Sequence, residues 1–304
     1  MTTLSSGPSN TCTTAIFAGG AANILLGMSS LYWRELNEIS PQVLVAFRIL
    51  LSLIALSIII FIKQDFHQIK KTNFKTLCLH CGASLLVAAN WATFIWASIH
   101  GNIIESGFGY LLAPLLSITM GVIFYHEPLR PIPTATLVII SIATILLVLF
   151  SHELNPWIYI VIATTWGSYT CLKKATPLNS INGLFIETLF LSLGLALIFL
   201  LFDWAFAWPE DLSFRSKSLI WLAGGISVIP LIMFAYATSK LPLSTTGFFQ
   251  FILPLTQLTV ATLFYKQSIS MSSLLLFTTT TGSLVFLLLY ELASSQTRAK
   301  RLSK

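Results

Sequence analysis

Residues 106–125 read SGFGYLLAPLLSITMGVIFY, and residues 246–265 read TGFFQFILPLTQLTVATLFY. Neither stretch holds a charged residue, and each spans about 30 Å as an α-helix, the thickness of a bilayer's hydrocarbon core. The two match at one fixed offset, position 106 answering to position 246. Gly107-Phe108 returns as Gly247-Phe248, Pro114-Leu115 as Pro254-Leu255, Thr119 as Thr259, and Phe124-Tyr125 as Phe264-Tyr265, so seven of twenty positions are identical. Upstream, the same register pairs Phe94 with Phe234, Ala97 with Ala237 and His100 with Lys240. Shared composition alone scatters its matches. It does not readily align a proline and a glycine at one offset.

A repeat of this length predicts two halves of five spans each. With an odd number of spans per half, the halves insert in opposite orientations, the arrangement typical of secondary transporters. Pro114 and Pro254 fall mid-span, where each removes a backbone hydrogen bond and bends its helix. As a symmetric pair they are expected to shape a central cavity.

The remaining sequence fits a membrane chain. Of 304 residues 55% are hydrophobic and 9% charged, with a mean hydropathy of +0.82, whereas a soluble domain is about one quarter charged. In lipid every backbone N–H and C=O must be paired internally, so only helices or closed barrels span. The apolar runs are continuous and do not alternate, which favours helices over barrel strands. Ten spans are expected, at 13–33, 41–62, 76–99, 102–125, 132–151, 155–172, 181–203, 218–239, 242–265 and 270–291. The expected fold is therefore an all-α integral membrane protein of ten transmembrane helices. Residues 13–151 and 155–291 form two inverted five-helix repeats, and 292–304 a basic cytoplasmic tail.

With a cytoplasmic N-terminus, the inner loops and tail hold Lys63, Lys70, Lys71, Lys75, Arg130, Lys173, Lys174, Lys240, Arg298, Lys300, Arg301 and Lys304. The outer side holds Arg34, Arg215, Lys217 and Lys266, and Arg48 lies within a span. Twelve against four is a positive-inside bias, placing both termini in the cytoplasm of an inner-membrane protein. Residues 1–13 contain no Lys or Arg, so the first apolar segment reads as a retained span rather than a signal peptide. Trp204 and Trp208, in the longest loop with Glu210 and Asp211, suit the headgroup interface.

The net charge of +6 sits in short loops and the tail, not along a helix face, so no nucleic-acid partner is expected. Cys12, Cys78, Cys81 and Cys171 form no disulfide framework. Cys78-Leu-His-Cys81 supplies half a zinc site at most and reads as helix packing. No cofactor and no metal are expected. No phosphate-cradling glycine loop is present, so energy must come from a gradient or exchange. An integral-membrane enzyme acting on a lipid-linked substrate is the alternative. It usually needs clustered acids or a His/Asp/Ser set, and the eleven acids here are scattered.

Asn90-Trp91, Phe94-Ile95-Trp96-Ala97, Glu105-Ser106, Gly109-Tyr110 and Pro114-Leu115 resemble the third and fourth spans of RarD-type proteins, in the EamA branch of the drug/metabolite transporter superfamily. Ile186-Glu187-Thr188 is similar to that family's seventh span. Leu243-Ser244-Thr245, Gly247-Phe248-Phe249-Gln250 and Pro254 are similar to its ninth. The resemblance covers roughly residues 16–291. It implies ten transmembrane helices, two EamA repeats and a central substrate cavity. The first span departs from the family, since Leu26-Gly27-Met28-Ser29-Ser30 lacks the Trp and Pro common there.

A charge within a span costs about 2.5–3.5 kcal/mol on insertion scales, so Arg48, Glu105 and Glu187 are candidates for gating or coupling, together with Pro114 and Pro254. The repeat offset sets Arg48 opposite Thr188, next to Glu187, and suggests an ion pair across the halves. Glu105 lies in the first turn of its span, where it complements the helix dipole. For substrate binding the candidates are Asn90, Trp91, Tyr110, Gln250, Trp166 and Tyr169. Tyr110 and Gln250 are equivalent under the repeat, each one turn before its proline, and are expected to face each other across the axis. Aromatics with sparse hydrogen-bonding groups suit a small, partly apolar or cationic molecule. The expected partners are that substrate and the bilayer, with the protein a monomer or homodimer.

Overall fold

The computed structural model describes residues 8–63, 67–70, 72–128, 131–150, 154–202, 212–267, 270–271, 274–275, 278–283 and 286. Among them every regular element is helical. The first helices are α1 (Pro8–Glu35), α2 (Pro41–Lys63), the single turn α3 (His67–Lys70), α4 (Phe74–Ile99) and α5 (Ile103–Tyr125). Then come α6 (Pro131–Phe150), α7 (Pro156–Ala175) and α8 (Ser180–Phe202). A short α9 (Phe214–Leu219) runs through a 3-10 turn into α10 (Ala223–Lys240). Helices α11 (Leu243–Gln250) and α12 (Ile252–Thr259) follow, closing in a π-helical turn, Val260–Phe264. Among the described residues seven helical segments are long and apolar enough to cross a membrane, and the chain is a multi-pass, all-α membrane protein. The expected tail 292–304, half of the span 270–291 and the loop residues Trp204, Trp208, Glu210 and Asp211 lie outside the described residues.

Local chemistry sets the helix ends. Pro41, Pro131 and Pro156 occupy first helical positions, where the missing N–H is not needed. Asn73 caps α4 by accepting from Thr76 N at 2.8 Å, and Ser213 caps α9 through Ser216 N. Exposed Phe61, Ile62, Leu200, Leu201 and Leu263 are compatible with lipid contact, because hydrocarbon charges nothing for apolar surface.

Helix α7 packs along α5 and α4, and α1 packs along α10 and α12. Small residues allow the close approaches. A Cβ at Gly167 on α7 would lie 2.8 Å from Leu116 Cβ and 3.2 Å from Ala113 O on α5. A Cβ at Gly27 on α1 would lie 2.6 Å from Thr256 Cβ and 2.9 Å from Leu253 O on α12. Gly27 and Gly167, Ala113 and Leu253, Leu116 and Thr256 are each separated by the repeat offset that relates Pro114 to Pro254. The α1–α12 contact thus repeats the α7–α5 contact residue by residue.

The helix ends carry the same register. His126 after α5 and Lys266 after the π turn both take left-handed backbone, φ 51° and 49°. Beyond them Glu127 N donates to Gly121 O at 3.2 Å, and Gln267 N to Ala261 O at 3.0 Å. Helix α5 packs antiparallel to α11–α12. Gly121 meets Leu243 and Ser244, Ser117 meets Gln250, and Ser106 meets Gln257, so numbers fall along one helix as they rise along the other.

Two sequence expectations are corrected here. Helix α7 runs to Ala175, beyond the expected end at 172, so Lys173 is not in a loop but 5% exposed within the helix. Its charge tolerates that position because Glu187 neutralises it. The two prolines also differ. Helix α5 is continuous through Pro114, whereas the helix carrying Pro254 is interrupted at Phe251, within one turn upstream, where the proline leaves the Gln250 carbonyl without its N–H donor. A third intrahelical proline, Pro230 in α10, has no counterpart in the repeat, since position 90 is asparagine.

Candidate functional site

Two polar layers lie inside the helix bundle. The first joins α4, α5 and α7. Tyr110 OH donates to Asn90 Oδ1 at 2.7 Å, and Asn90 Nδ2 donates to Thr165 Oγ1 at 3.2 Å and Ile162 O at 3.4 Å. An idle amide in an apolar core is costly, and here both ends of Asn90 are satisfied. Rings surround this layer. Tyr110 packs edge-on to Phe94 and to Trp166, each with centroids 5.9 Å apart. Trp166 stacks on Tyr169 at 5.5 Å and leans on Phe234 at 4.9 Å.

Arg48 projects from α2 beside this layer. Its guanidinium carbon lies 4.0 Å from the Trp91 ring centroid and 5.1 Å from that of Trp33. Only 3% of Arg48 is exposed, and Nε and Nη1 have no hydrogen-bond partner. Cation–π contacts contribute roughly 2 kcal/mol each when desolvated, which offsets the insertion cost of about 2.5–3.5 kcal/mol. They do not satisfy the N–H donors.

The second layer lies about 15 Å along α4 from Asn90. Glu187 on α8, 1% exposed, accepts from Lys173 Nζ at 2.6 Å and His80 Nδ1 at 2.7 Å on one oxygen. Its other oxygen accepts from Tyr169 OH at 3.1 Å. The expected Arg48–Glu187 pair is therefore replaced by Lys173 and His80, which reach Glu187 from α7 and α4. Lys173 and Tyr169 from α7 and His80 from α4 thus converge on the one carboxylate that α8 carries. Sequence reading missed His80 and Lys173. The available signal was a histidine six positions into an apolar helix, read only as part of the cysteine pair.

Gln250 is 1% exposed and faces α5 and α7 rather than lipid. Its Oε1 accepts from Ser117 Oγ at 3.5 Å and its Nε2 donates to Thr170 Oγ1 at 3.4 Å. It does not meet Tyr110, which lies two turns away along α5 and bonds to Asn90. Glu105 sits in the first turn of α5, half-buried, with its carboxylate beside the Asn155 backbone at the start of α7. Pro114 and Pro254 follow Tyr110 and Gln250 by one turn, both buried, in α5 and α12.

At one end of the bundle two side chains clamp the α10–α11 turn. Glu127 accepts from Leu243 N at 2.6 Å and Ser244 N at 2.7 Å, capping α11. Lys174 Nζ donates to Leu241 O at 2.6 Å and Thr238 O at 3.3 Å, capping α10. At the other end Gln267, the repeat equivalent of Glu127, donates to Gly101 O at 2.7 Å in the α4–α5 turn. Sequence reading placed Glu127 in a polar turn and gave it no role, because its partners are backbone groups 116 and 117 residues on. Among the described residues no group of three or more His, Cys, Asp or Glu could hold a metal.

No family model matches the chain. It is similar to the uncharacterized transporter YojE of Bacillus subtilis, 32% identical over 92% of this chain and 94% of that one. Protein RarD of Escherichia coli is 29% identical, over 81% of this chain and 84% of its own. A solved crystal structure superposes with a TM-score of 0.65 at 17% identity, covering 96% of this chain and 99% of the other, and shares the fold.

Proposed function

We propose that this chain, which belongs to the RarD-type transporters of the EamA branch of the drug/metabolite transporter superfamily, is a secondary transporter carrying a small organic metabolite by alternating access. In this reading it has ten transmembrane helices in two inverted repeats, residues 13–151 and 155–291. One observation carries it above the rest: the Gly27 contact to Leu253 and Thr256 reproduces the Gly167 contact to Ala113 and Leu116 at the constant offset of the repeat. Equivalent helices α5 and α11–α12 pack antiparallel, which supports halves related by an axis in the membrane plane. Two halves of like build can exchange conformations, and a site between them then opens to each side in turn.

The membrane is the cell's inner membrane, with both termini cytoplasmic. Removing Lys173 from the inner count leaves eleven basic residues against four, and the bias stands. The α10–α11 turn then faces the cytoplasm, and Glu127 with Lys174 is the inner gate. Gln267 on Gly101 is its outer counterpart. The substrate layer is Asn90, Trp91, Tyr110, Trp166 and Tyr169, with Gln250 one layer toward the inner gate. Glu187, with Lys173 and His80, is the coupling site.

Purified protein in liposomes, supplied with a labelled panel of metabolites and either a pH gradient or internal unlabelled solute, tests this reading. Saturable uptake with counterflow is the expected result. Gradient-insensitive, non-saturable leakage across the whole panel would count against it.

A further inference from the structure

The first layer is short of acceptors. Among the described residues five buried donors around α2 have no hydrogen-bond partner: Arg48 Nε and Nη1, Ser52 Oγ, and the indole Nε1 of Trp33 and Trp91. All four residues are over nine-tenths buried. Arg48 lies over both indole rings, and Ser52 follows it by one helical turn. Trp166, beside Tyr110, also has a free indole N–H. Guanidinium and indole groups donate and never accept. Asn90 Oδ1, the nearby side-chain acceptor of this layer, is engaged by the Tyr110 hydroxyl. The other buried cation of the described core, Lys173, is neutralised by Glu187. One positive charge is thus left unbalanced against the rings of Trp33 and Trp91, in the same core as the Phe94, Tyr110 and Trp166 ring cluster.

Resting on the transport reading above, we propose that Arg48 is the substrate's anion-recognition residue and that the substrate is a monocarboxylate with an apolar or aromatic body. The two oxygens of a carboxylate match the planar guanidinium fork and accept from the indole N–H groups beside it. A single negative charge balances the single free cation. A dianion would leave one charge uncompensated, and an amine would place a second cation against Arg48. The surrounding rings accept the apolar body.

Phenylacetate, phenylacetamide and phenethylamine share one body and carry charges of −1, 0 and +1. Each is titrated against the purified full-length chain, following tryptophan fluorescence. Phenylacetate is expected to bind about 10- to 100-fold tighter than phenylacetamide, and Arg48→Gln to erase that difference. Trp91→Phe, which keeps a ring and removes the N–H, is expected to weaken phenylacetate several-fold and phenylacetamide less, because a hydrogen bond to the charged carboxylate is the stronger one. This variant keeps the test decisive even where Arg48→Gln fails to fold. Equal binding of acid and amide, preference for the amine, absence of binding by all three, or an acid preference that survives Arg48→Gln would overturn the assignment. Liposome uptake separates the two readings. An amide or amine carried by a protein that ignores the acid removes the carboxylate site and leaves the transporter. An acid bound through Arg48 but never carried removes the transporter and leaves the site.

Discussion

At the scale of single residues, what matters is which buried charges are paired. Glu187 and Lys173 lie 2.6 Å apart and are almost fully enclosed. Removing one partner of such a pair costs about 3–5 kcal/mol, while replacing both with apolar groups can be nearly neutral. Glu187→Gln and Lys173→Met are therefore each expected to lower thermal stability in detergent sharply. The Glu187→Gln, Lys173→Met double variant should recover much of the loss, and additive losses in the double variant would refute the pairing. With coupling at this site, Glu187→Gln protein that still inserts should lose pH-driven uptake and keep counterflow. The sequence pointed to Glu187 as chemically special, because a carboxylate within an apolar span demands a partner. It pointed to the wrong partner, Arg48, because adjacency under the repeat says which helices correspond and not which side chains meet. Asn90 and Tyr110 were each legible as polar residues in lipid. Their hydrogen bond to one another was not.

At the scale of the helix, the turns are where sequence and structure part. Glu127 caps α11 from another connection, with both carboxylate oxygens on backbone N–H groups. Loss of a cap costs about 1–2 kcal/mol. Glu127→Ala should therefore free the first turn of α11, read as faster hydrogen exchange at Thr245 to Gly247, with Glu127→Gln intermediate since an amide oxygen can accept only one of the two bonds well. Unchanged exchange in the alanine variant would remove Glu127 from the gate. Pro254 offers a parallel case. The kink position was readable, since proline leaves the carbonyl four residues back unpaired. That the chain breaks at Phe251 while α5 stays continuous through Pro114 depends on packing. Helix α11–α12 meets α1 and α5, whereas α5 is held along its length by α7.

At the scale of the whole molecule, the repeat governs. A Cβ at Gly27 or Gly167 would fall 2.6 Å or 2.8 Å from its neighbour's Cβ, closer than carbon atoms approach. Gly27→Ala and Gly167→Ala should each destabilise by about 1–3 kcal/mol through overpacking, measured as equal-sized drops in melting temperature for equivalent contacts. A large drop at one site and none at the other would break the equivalence. Topology has its own check. In a chain whose four native cysteines are replaced by serine, single cysteines at Lys217 and Lys304 should react oppositely with a membrane-impermeant reagent applied to intact cells, Lys217 from outside only. Equal labelling would refute the proposed orientation.

By itself the sequence determined that the chain is helical in lipid and that two of its segments share one register. An apolar fraction this high leaves helices as the way to pair the backbone in lipid, and two related segments at one offset tie α5 to α11–α12. Those properties are local or pairwise along the chain, so they survive without coordinates. The partners of each buried charge did not. Lys173 read as a loop residue because its compensation comes from α8, His80 read as half a cysteine motif because its acid lies 107 residues away, and Arg48 read as one end of an ion pair when its neighbours are two indole rings. Which donors find acceptors is settled by how helices rotate and lean against one another. That depends on glycine-scale contacts between distant segments, and only the tertiary structure holds them.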